Sequence, residues 1–107
     1  MKKKVLLVDD EKSFTNLLKL NLEQTGQYDV RVAYTPNPNR ATNVPITVQH
    51  AGGQSSAKLN QRSTPSIDKS FQSIGKFQFD KDAVIVISNA NTDGYVIIDA
   101  VQLVPAM

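Results

Sequence analysis

The chain has no cysteine, no tryptophan and a single histidine among its 107 residues. Without cysteine there is neither a disulfide framework nor a Cys-based zinc site. A chain of this length buries roughly two thirds of its unfolded surface, so it needs no such staple. The lack of tryptophan removes the usual flat platform for a sugar ring, and one histidine without cysteine leaves few routes to hydrolysis. Long apolar runs are missing too. The longest, Val5 to Val8 and Val84 to Ile87, fall far short of the roughly 18 residues of a membrane span. Met1-Lys2-Lys3-Lys4 leads into only four apolar residues before two aspartates, which is not the pattern of a signal peptide. Nor is there an excess of one charge. Twelve basic residues stand against ten acidic ones, and residues 1–33 and 34–107 each carry one more base than acid, so no basic face for nucleic acid is expected.

What is present changes character near Tyr34. Residues 1–33 hold six of the eight leucines and read as strand, helix, strand. Val5-Leu6-Leu7-Val8 is a continuous apolar run of strand length, as in a strand buried on both faces. After Asp9-Asp10-Glu11, the residues Phe14, Leu17, Leu18 and Leu22 recur at helical spacing. The acids sit where a helix N-terminus favours negative charge, and Gly26 can close the other end, so the spacing predicts a helix over 11–25. Tyr28, Val30, Val32 and Tyr34 alternate with Asp29, Arg31 and Ala33, which predicts a strand over 28–34 with one face buried.

Residues 34–107 are rich in Asn, Gln, Thr, Ser, Val and Ile, with turn signals every eight to twelve residues, and read as all-β. Val44, Ile46 and Val48 alternate with Thr47 and Gln49. Ala51-Gly52-Gly53 then turns the chain into a strand running through Lys58 to Gln61, forming a hairpin. Gln61 to Ser70 resembles a loose linker too short to separate domains. Phe77 and Phe79 alternate with Lys76 and Gln78, Asp80-Lys81-Asp82 turns into Ala83 to Ser88, and Asn91-Thr92-Asp93-Gly94 turns into Tyr95 to Val104. Both parities of that last strand are mostly apolar, which places it centrally in a sheet.

Two family resemblances attach to these segments. Lys3-Lys4-Val5-Leu6-Leu7-Val8-Asp9-Asp10-Glu11, the following leucine-rich segment and Tyr28-Asp29-Val30-Arg31-Val32-Ala33 resemble the opening β-α-β of a response-regulator receiver domain. That resemblance implies Mg²⁺ held by Asp9 and Asp10 beside a phosphate-accepting aspartate, because a hard dication takes oxygen ligands. The acceptor and the later Lys-Pro pair of that family have no counterpart, and Ala83 to Ser88 only imitates its switch strand. Against the metal reading, exposed acids at a helix start are usually caps. The second resemblance runs from Gly26 to Pro105. It rests on Tyr34 to Gly53, on Leu59-Asn60-Gln61-Arg62, on Ile74-Gly75-Lys76-Phe77-Gln78-Phe79 and on Ser88 to Pro105. These blocks are similar to the golvesin-like domain, also called the xanthan-lyase carbohydrate-binding-like domain, a β-sandwich module of bacterial extracellular and multidomain proteins. The two patterns overlap at Gly26 to Ala33, so the chain resembles a chimera with its junction there, natural or engineered.

The expected fold class is α+β, mainly an antiparallel β-sandwich with one N-terminal helix and the receiver-like first strand merged into a sheet. The expected organisation is one merged domain over 1–107, with a receiver-like segment at 1–33 and a golvesin-like segment at 28–107. The helix stripe must be covered by the sandwich or by a second copy, at about 1.5–3 kcal/mol per fully buried side chain, and open sheet edges favour self-association. Candidate ligand-binding residues are Asn39, Arg40, Asn43, Asn91, Asp93 and Tyr95, with loop bracing as the competing role of the polar ones. Tyr34 and Tyr95 read as core rather than as stacking platforms. His50 reads as a hydrogen-bonded structural residue, since a site needs several converging groups. Asp80 and Asp82 are explained by turn chemistry, and no phosphate-cradling glycine loop occurs.

These readings converge on a non-catalytic binding or accessory module, directed at polysaccharide, without a cofactor and without a nucleic-acid or membrane partner. The alternatives are a phosphorelay relic binding Mg²⁺ through Asp9 and Asp10, and a recombined chain without evolved activity. The golvesin-like parent is often extracellular and the receiver-like parent cytoplasmic, so the sequence assigns no compartment.

Overall fold

Period-two alternation dominates the computed structural model, which describes residues 4–7, 15–22 and 24–106. Eight strands are formed: β1 (Lys4–Leu7), β2 (Thr15–Asn21), β3 (Gly26–Ala33), β4 (Val44–His50), β5 (Gly53–Leu59), β6 (Phe71–Phe79), β7 (Asp82–Ser88) and β8 (Ala100–Pro105). They make two four-stranded antiparallel sheets, with orders β1-β8-β3-β6 and β2-β7-β4-β5. Alternate residues of both sheets meet in one core. Tyr28, Val30, Val32, Val101 and Leu103 come from the first sheet, and Val44, Ile46, Val48, Ile85 and Ile87 from the second. This is the arrangement of a β-sandwich, in which inward residues of each pleat fill the space between sheets.

The expected helix over 11–25 is not formed where the structure describes that segment, and the described residues contain no helix. Thr15–Asn21 is instead a strand that pairs with β7 from Thr15↔Ser88 to Asn21↔Asp82. The same leucine-rich run carries two periods, since Leu17, Leu18 and Leu22 fit a helix while Leu18, Leu20 and Leu22 fit a strand. The observed exposure follows the second: Lys19 and Asn21 are exposed, Leu20 and Leu22 buried. The physical reason is the neighbour. β7 is Asp-Ala-Val-Ile-Val-Ile-Ser, and without β2 its ladder would end in an unpaired edge of high β-propensity. Pairing satisfies that edge and sends Leu20 into the core opposite Ala83, so tertiary pairing overrides local helical spacing. The fold class is therefore all-β over the described residues rather than α+β, and Leu22 is covered from within the sandwich.

β1 lies antiparallel to β8, Lys4↔Leu103 through Leu7↔Ala100, and so merges into the sheet, but as an edge strand where the apolar run implies one buried on both faces. β8 is central, between β1 and β3, with Ala100 to Leu103 buried on both parities. It is shorter than the expected strand over 95–104. Residues 96–99 leave the ladder because their backbone groups are bonded elsewhere: Ile97 to the Gln61 side chain and the Asp99 amide to the Ala33 carbonyl at 2.9 Å. β5 likewise stops at Leu59, two residues early.

One irregularity shapes the open side of the sandwich, where β5 and β6 are the edge strands. Between β3 and β6 the pairing passes from Val30↔Gly75 to Arg31↔Ser73, leaving Ile74 as a bulge. Gly75 has φ +145°, a region that side chains rarely adopt, and a Cβ there would lie 3.1 Å from the Phe77 ring. Such bulges bend a strand and re-aim its side chains.

Candidate functional site

Three loops interlock at one end of the sandwich, and they carry the residues the sequence singled out. In the first loop, residues 34–43, the Arg40 amide bonds to the Asn37 carbonyl at 3.0 Å and the Arg40 Nε donates to the Thr35 carbonyl at 3.2 Å. The loop 89–95 runs alongside it. The Tyr95 amide donates to the Asn39 carbonyl at 3.0 Å, and the Ala41 amide donates to the Tyr95 carbonyl at 2.7 Å, making a parallel bridge between Arg40 and Tyr95. So close is this approach that Gly94 admits no side chain: a Cβ would stand 2.7 Å from the Arg40 carbonyl oxygen and 2.8 Å from that of Asn39.

Side chains complete the lock. The Thr42 amide donates to Asp93 Oδ1 at 2.7 Å, and the Thr42 hydroxyl donates to Asp93 Oδ2. These two bonds, the hydroxyl's first, hold the Asp93 carboxyl below the ordinary aspartate value, with a smaller contribution from the charge of Arg62. The Asp93 amide donates to Asn43 Oδ1 at 3.1 Å, and Asn43 Nδ2 donates to the Asn91 carbonyl at 3.3 Å. Asn91 itself takes φ +58°, a left-handed conformation that asparagine tolerates better than most residues.

The third loop follows β5. Arg62 Nε donates to the Arg40 carbonyl at 2.7 Å. Gln61 is fully buried, with Nε2 donating to the Ile97 carbonyl at 2.6 Å and Oε1 accepting from the Ile97 amide at 2.9 Å. Its carboxamide thus copies the donor and acceptor of a neighbouring strand, which is how a buried stretch outside a ladder keeps its backbone paired. Tyr34, also buried, donates its hydroxyl to the carbonyls of Ser63 at 2.7 Å and Asn60 at 3.2 Å, and burial pushes its phenol pKa up.

All six candidate residues therefore lie in two touching loops. Asn43 and Asp93 use their side chains to brace those loops, and Arg40 uses its Nε. Among the described residues the side-chain amides of Asn39 and Asn91 make no hydrogen bond, and the terminal nitrogens of Arg40 and Arg62 are likewise unengaged. Tyr95 differs from the expectation of a core position. It is 66% exposed, the one exposed large hydrophobic residue among those described. The reason is alternation about the bridge: Val96 and Ile98 turn inward, and Tyr95 turns out. Gln61, Thr42, Arg62 and Gly94 were not among the candidate site residues, since nothing in their local pattern announces a long-range backbone contact. Asp9 and Asp10 lie outside the described residues.

His50 is held structurally at the opposite end. Its Nε2 lies 2.9 Å from the Ser55 hydroxyl, its Nδ1 accepts from the Gly52 amide at 3.2 Å, and its ring stacks on Phe77 with centroids 5.1 Å apart.

Comparison with known proteins places this architecture. A family model described as the Golvesin C-terminal domain matches residues 9–105. Xanthan lyase of Bacillus sp. (strain GL1) is 33% identical over 89 residues, covering 78% of this chain and 9% of that protein. The solved structure of Paenibacillus xanthan lyase superposes with a TM-score of 0.75 at 31% identity, over 87% of this chain and 9% of that one. The chain thus spans about a tenth of the length of these relatives. The family match takes in residues 9–33, so the segment that resembles a receiver falls largely within it, and nothing in these comparisons shows a receiver segment. With β2 to β8, the three loops and nearly its whole length within one family match, the chain belongs to the Golvesin C-terminal domain family.

Proposed function

We propose that the chain is a non-catalytic accessory module that binds carbohydrate through the surface formed by loops 35–43 and 89–95. The observation that carries this reading is the Tyr95 ring, 66% exposed on a loop whose backbone is tied at several points to its neighbour. An aromatic ring that is both exposed and rigidly mounted offers apolar contact at little entropic cost. The unengaged Asn39 and Asn91 amides and the Arg40 guanidinium belong to the same two loops and supply donors and acceptors suited to sugar hydroxyls. A few placed polar groups beside an apolar surface are what fixes a ligand's orientation. The family membership supports a carbohydrate target, because both relatives above are named as lyases of xanthan. The reading as a non-enzyme is supported by His50, whose two ring nitrogens are both engaged within its own hairpin.

A glycan array followed by titration calorimetry tests the proposal. Saturable binding is expected that changes little with salt and is lost in Tyr95→Ala without a change in unfolding temperature. Absence of binding to every glycan, or binding that survives both Tyr95→Ala and Asn39→Ala, sinks it.

A further inference from the structure

Arg62 comes from the third loop, yet its side chain reaches across to the other two. Its Nε donates to the Arg40 carbonyl at 2.7 Å, the same oxygen that a Cβ on Gly94 would meet at 2.7 Å. The Gln61 amide donates to the Ala41 carbonyl at 2.9 Å, and the Ala41 amide to the Tyr95 carbonyl at 2.7 Å, so residues 39–41 run between the segment that carries Arg62 and the segment that carries Tyr95. The charge of Arg62 is felt on the far side, where it adds to the pull on the Asp93 carboxyl. Arg40 is placed by bonds too. It is the partner of Tyr95 in the parallel bridge, and residues directly paired in this way project to the same face. Its Nε donates to the Thr35 carbonyl at 3.2 Å.

Two guanidinium groups are thereby anchored in the same way. Each spends its Nε on a backbone carbonyl and keeps the fork of its two terminal nitrogens. Among the described residues no carboxylate lies within 4 Å of either, the ion pair formed there being Arg31 with Asp29. The acids of these loops already have donors. Asp93 accepts from the Thr42 amide and hydroxyl on separate oxygens, and Asp99 accepts from the Thr35 hydroxyl at 3.5 Å. A guanidinium held through Nε has given up part of its rotamer freedom before any ligand arrives. Its remaining fork matches the two oxygens of one carboxylate, a fit that an ammonium of equal charge lacks.

We infer that the forks of Arg40 and Arg62 make the Tyr95 surface selective for a sugar that bears a carboxylate, with Arg62 a specificity-determining residue supplied by the third loop. That the ligand is a sugar seated on Tyr95 rests on the carbohydrate reading above, whereas the selection among sugars comes from the two forks. Arg40 and Arg62 are matched in number by Asp93 and Asp99, so the surface sets up little long-range field and the preference acts at contact. A pair in contact lies well inside the roughly 8 Å over which physiological salt screens. Weak dependence on salt and preference for a carboxylate therefore go together here.

The test titrates the whole chain with glucuronate, with its uncharged methyl ester and with glucose, following the amide chemical shifts of residues 39–41, 62 and 93–95. Glucuronate is expected to bind about three- to fivefold more tightly than the ester, the scale of one solvent-exposed ion pair, and glucose to match the ester. Arg62→Gln should reduce that ratio to about twofold or less and leave the ester's affinity in place. Arg62→Lys keeps the charge without the fork and should reduce it nearly as far. The ratio is read within each variant, so a general loss of stability does not imitate the effect. Equal affinities for glucuronate and ester in the parent chain, or a ratio unchanged in Arg62→Gln, overturn the inference while leaving the carbohydrate reading standing. A ratio fully kept in Arg62→Lys overturns the fork as its cause. No loop shift from any of the three sugars removes both.

Discussion

Replacing Gln61 by leucine removes the side chain that pairs both backbone groups of Ile97, a residue outside every ladder. The shape changes little, since leucine nearly matches glutamine in volume. The loss is therefore polar: the Ile97 amide and carbonyl give up bonds of 2.9 and 2.6 Å. Each backbone group left unsatisfied costs about 1–3 kcal/mol. Relief from burying the glutamine amide returns part of the roughly 2–6 kcal/mol that two such groups represent, which leaves a net destabilisation of about 2–4 kcal/mol. Against a total stability on the order of 5–15 kcal/mol, that is a large fraction. For a domain of this size it corresponds to a fall in Tm of about 10–25 °C. Differential scanning calorimetry and urea unfolding measure it directly, and an unchanged urea slope would show that the denatured state is not what moved. Gln61→Asn is the sharper control, because the shortened carboxamide keeps the chemistry yet cannot reach both atoms of Ile97. A Tm within about 3 °C of the parent in both variants would refute the claim that this bidentate contact holds the 95–99 segment.

Four further outcomes follow from the same geometry. Gly94→Ala should cost about 1–3 kcal/mol, the range for forced overpacking, because the atoms in its way are the backbone of Asn39 and Arg40. A parental urea midpoint would show that the loops part freely. Deleting residues 1–26 removes β1 and β2, strips one neighbour from β8 and from β7, and should abolish cooperative thermal unfolding or cause aggregation. Far-UV circular dichroism of the intact chain should be dominated by the sheet signal of its eight strands, and a spectrum dominated by helix would contradict the strand at 15–21. The Asp93 carboxyl titrates below the ordinary aspartate range in the folded state, so its bonds to Thr42 contribute to stability above the unfolded value and are lost as pH falls through the folded one. Thr42→Val should move the Asp93 titration, followed by carbon chemical shifts, back toward the ordinary value. No movement would remove the hydroxyl as the leading cause.

Much of the sandwich was legible from local pattern, and the failures are confined to places where two periods or two partners compete. In Tyr28 to Tyr34 and Val44 to Gln49 a single alternation runs without a rival, and each segment holds a strand with its alternating apolar residues inward, while Ala83 to Ser88, an apolar run between turn signals, became β7. The both-sided apolar character of Ala100 to Leu103 placed β8 in the middle of its sheet, because only a central strand can bury both parities. Asn39, Arg40, Asn43, Asn91, Asp93 and Tyr95 could be named because turn-forming residues gather at loops. That the two loops touch along their backbones was beyond local reach.

Thr15 to Asn21 marks the boundary between what local pattern and what long-range contact decides. Over seven residues the leucines satisfy a helical and a strand period at once, so the local energies nearly balance. The choice fell to β7, some sixty residues away in sequence, whose edge offered a full ladder of hydrogen bonds. Tyr34 and Tyr95 diverge for a similar reason. Both sit at the end of an alternating segment, yet one is covered by the 60–63 loop and the other has no element above it. Gln61 is the extreme case, a polar residue after a strand whose burial depends wholly on Ile97 arriving from the far side of the chain. Composition and alternation determined that the chain would stack sheets. Contacts between residues distant in sequence decided which segment completed them and which side chains were left facing water, since burial depends on the neighbour that arrives and local sequence does not encode the neighbour.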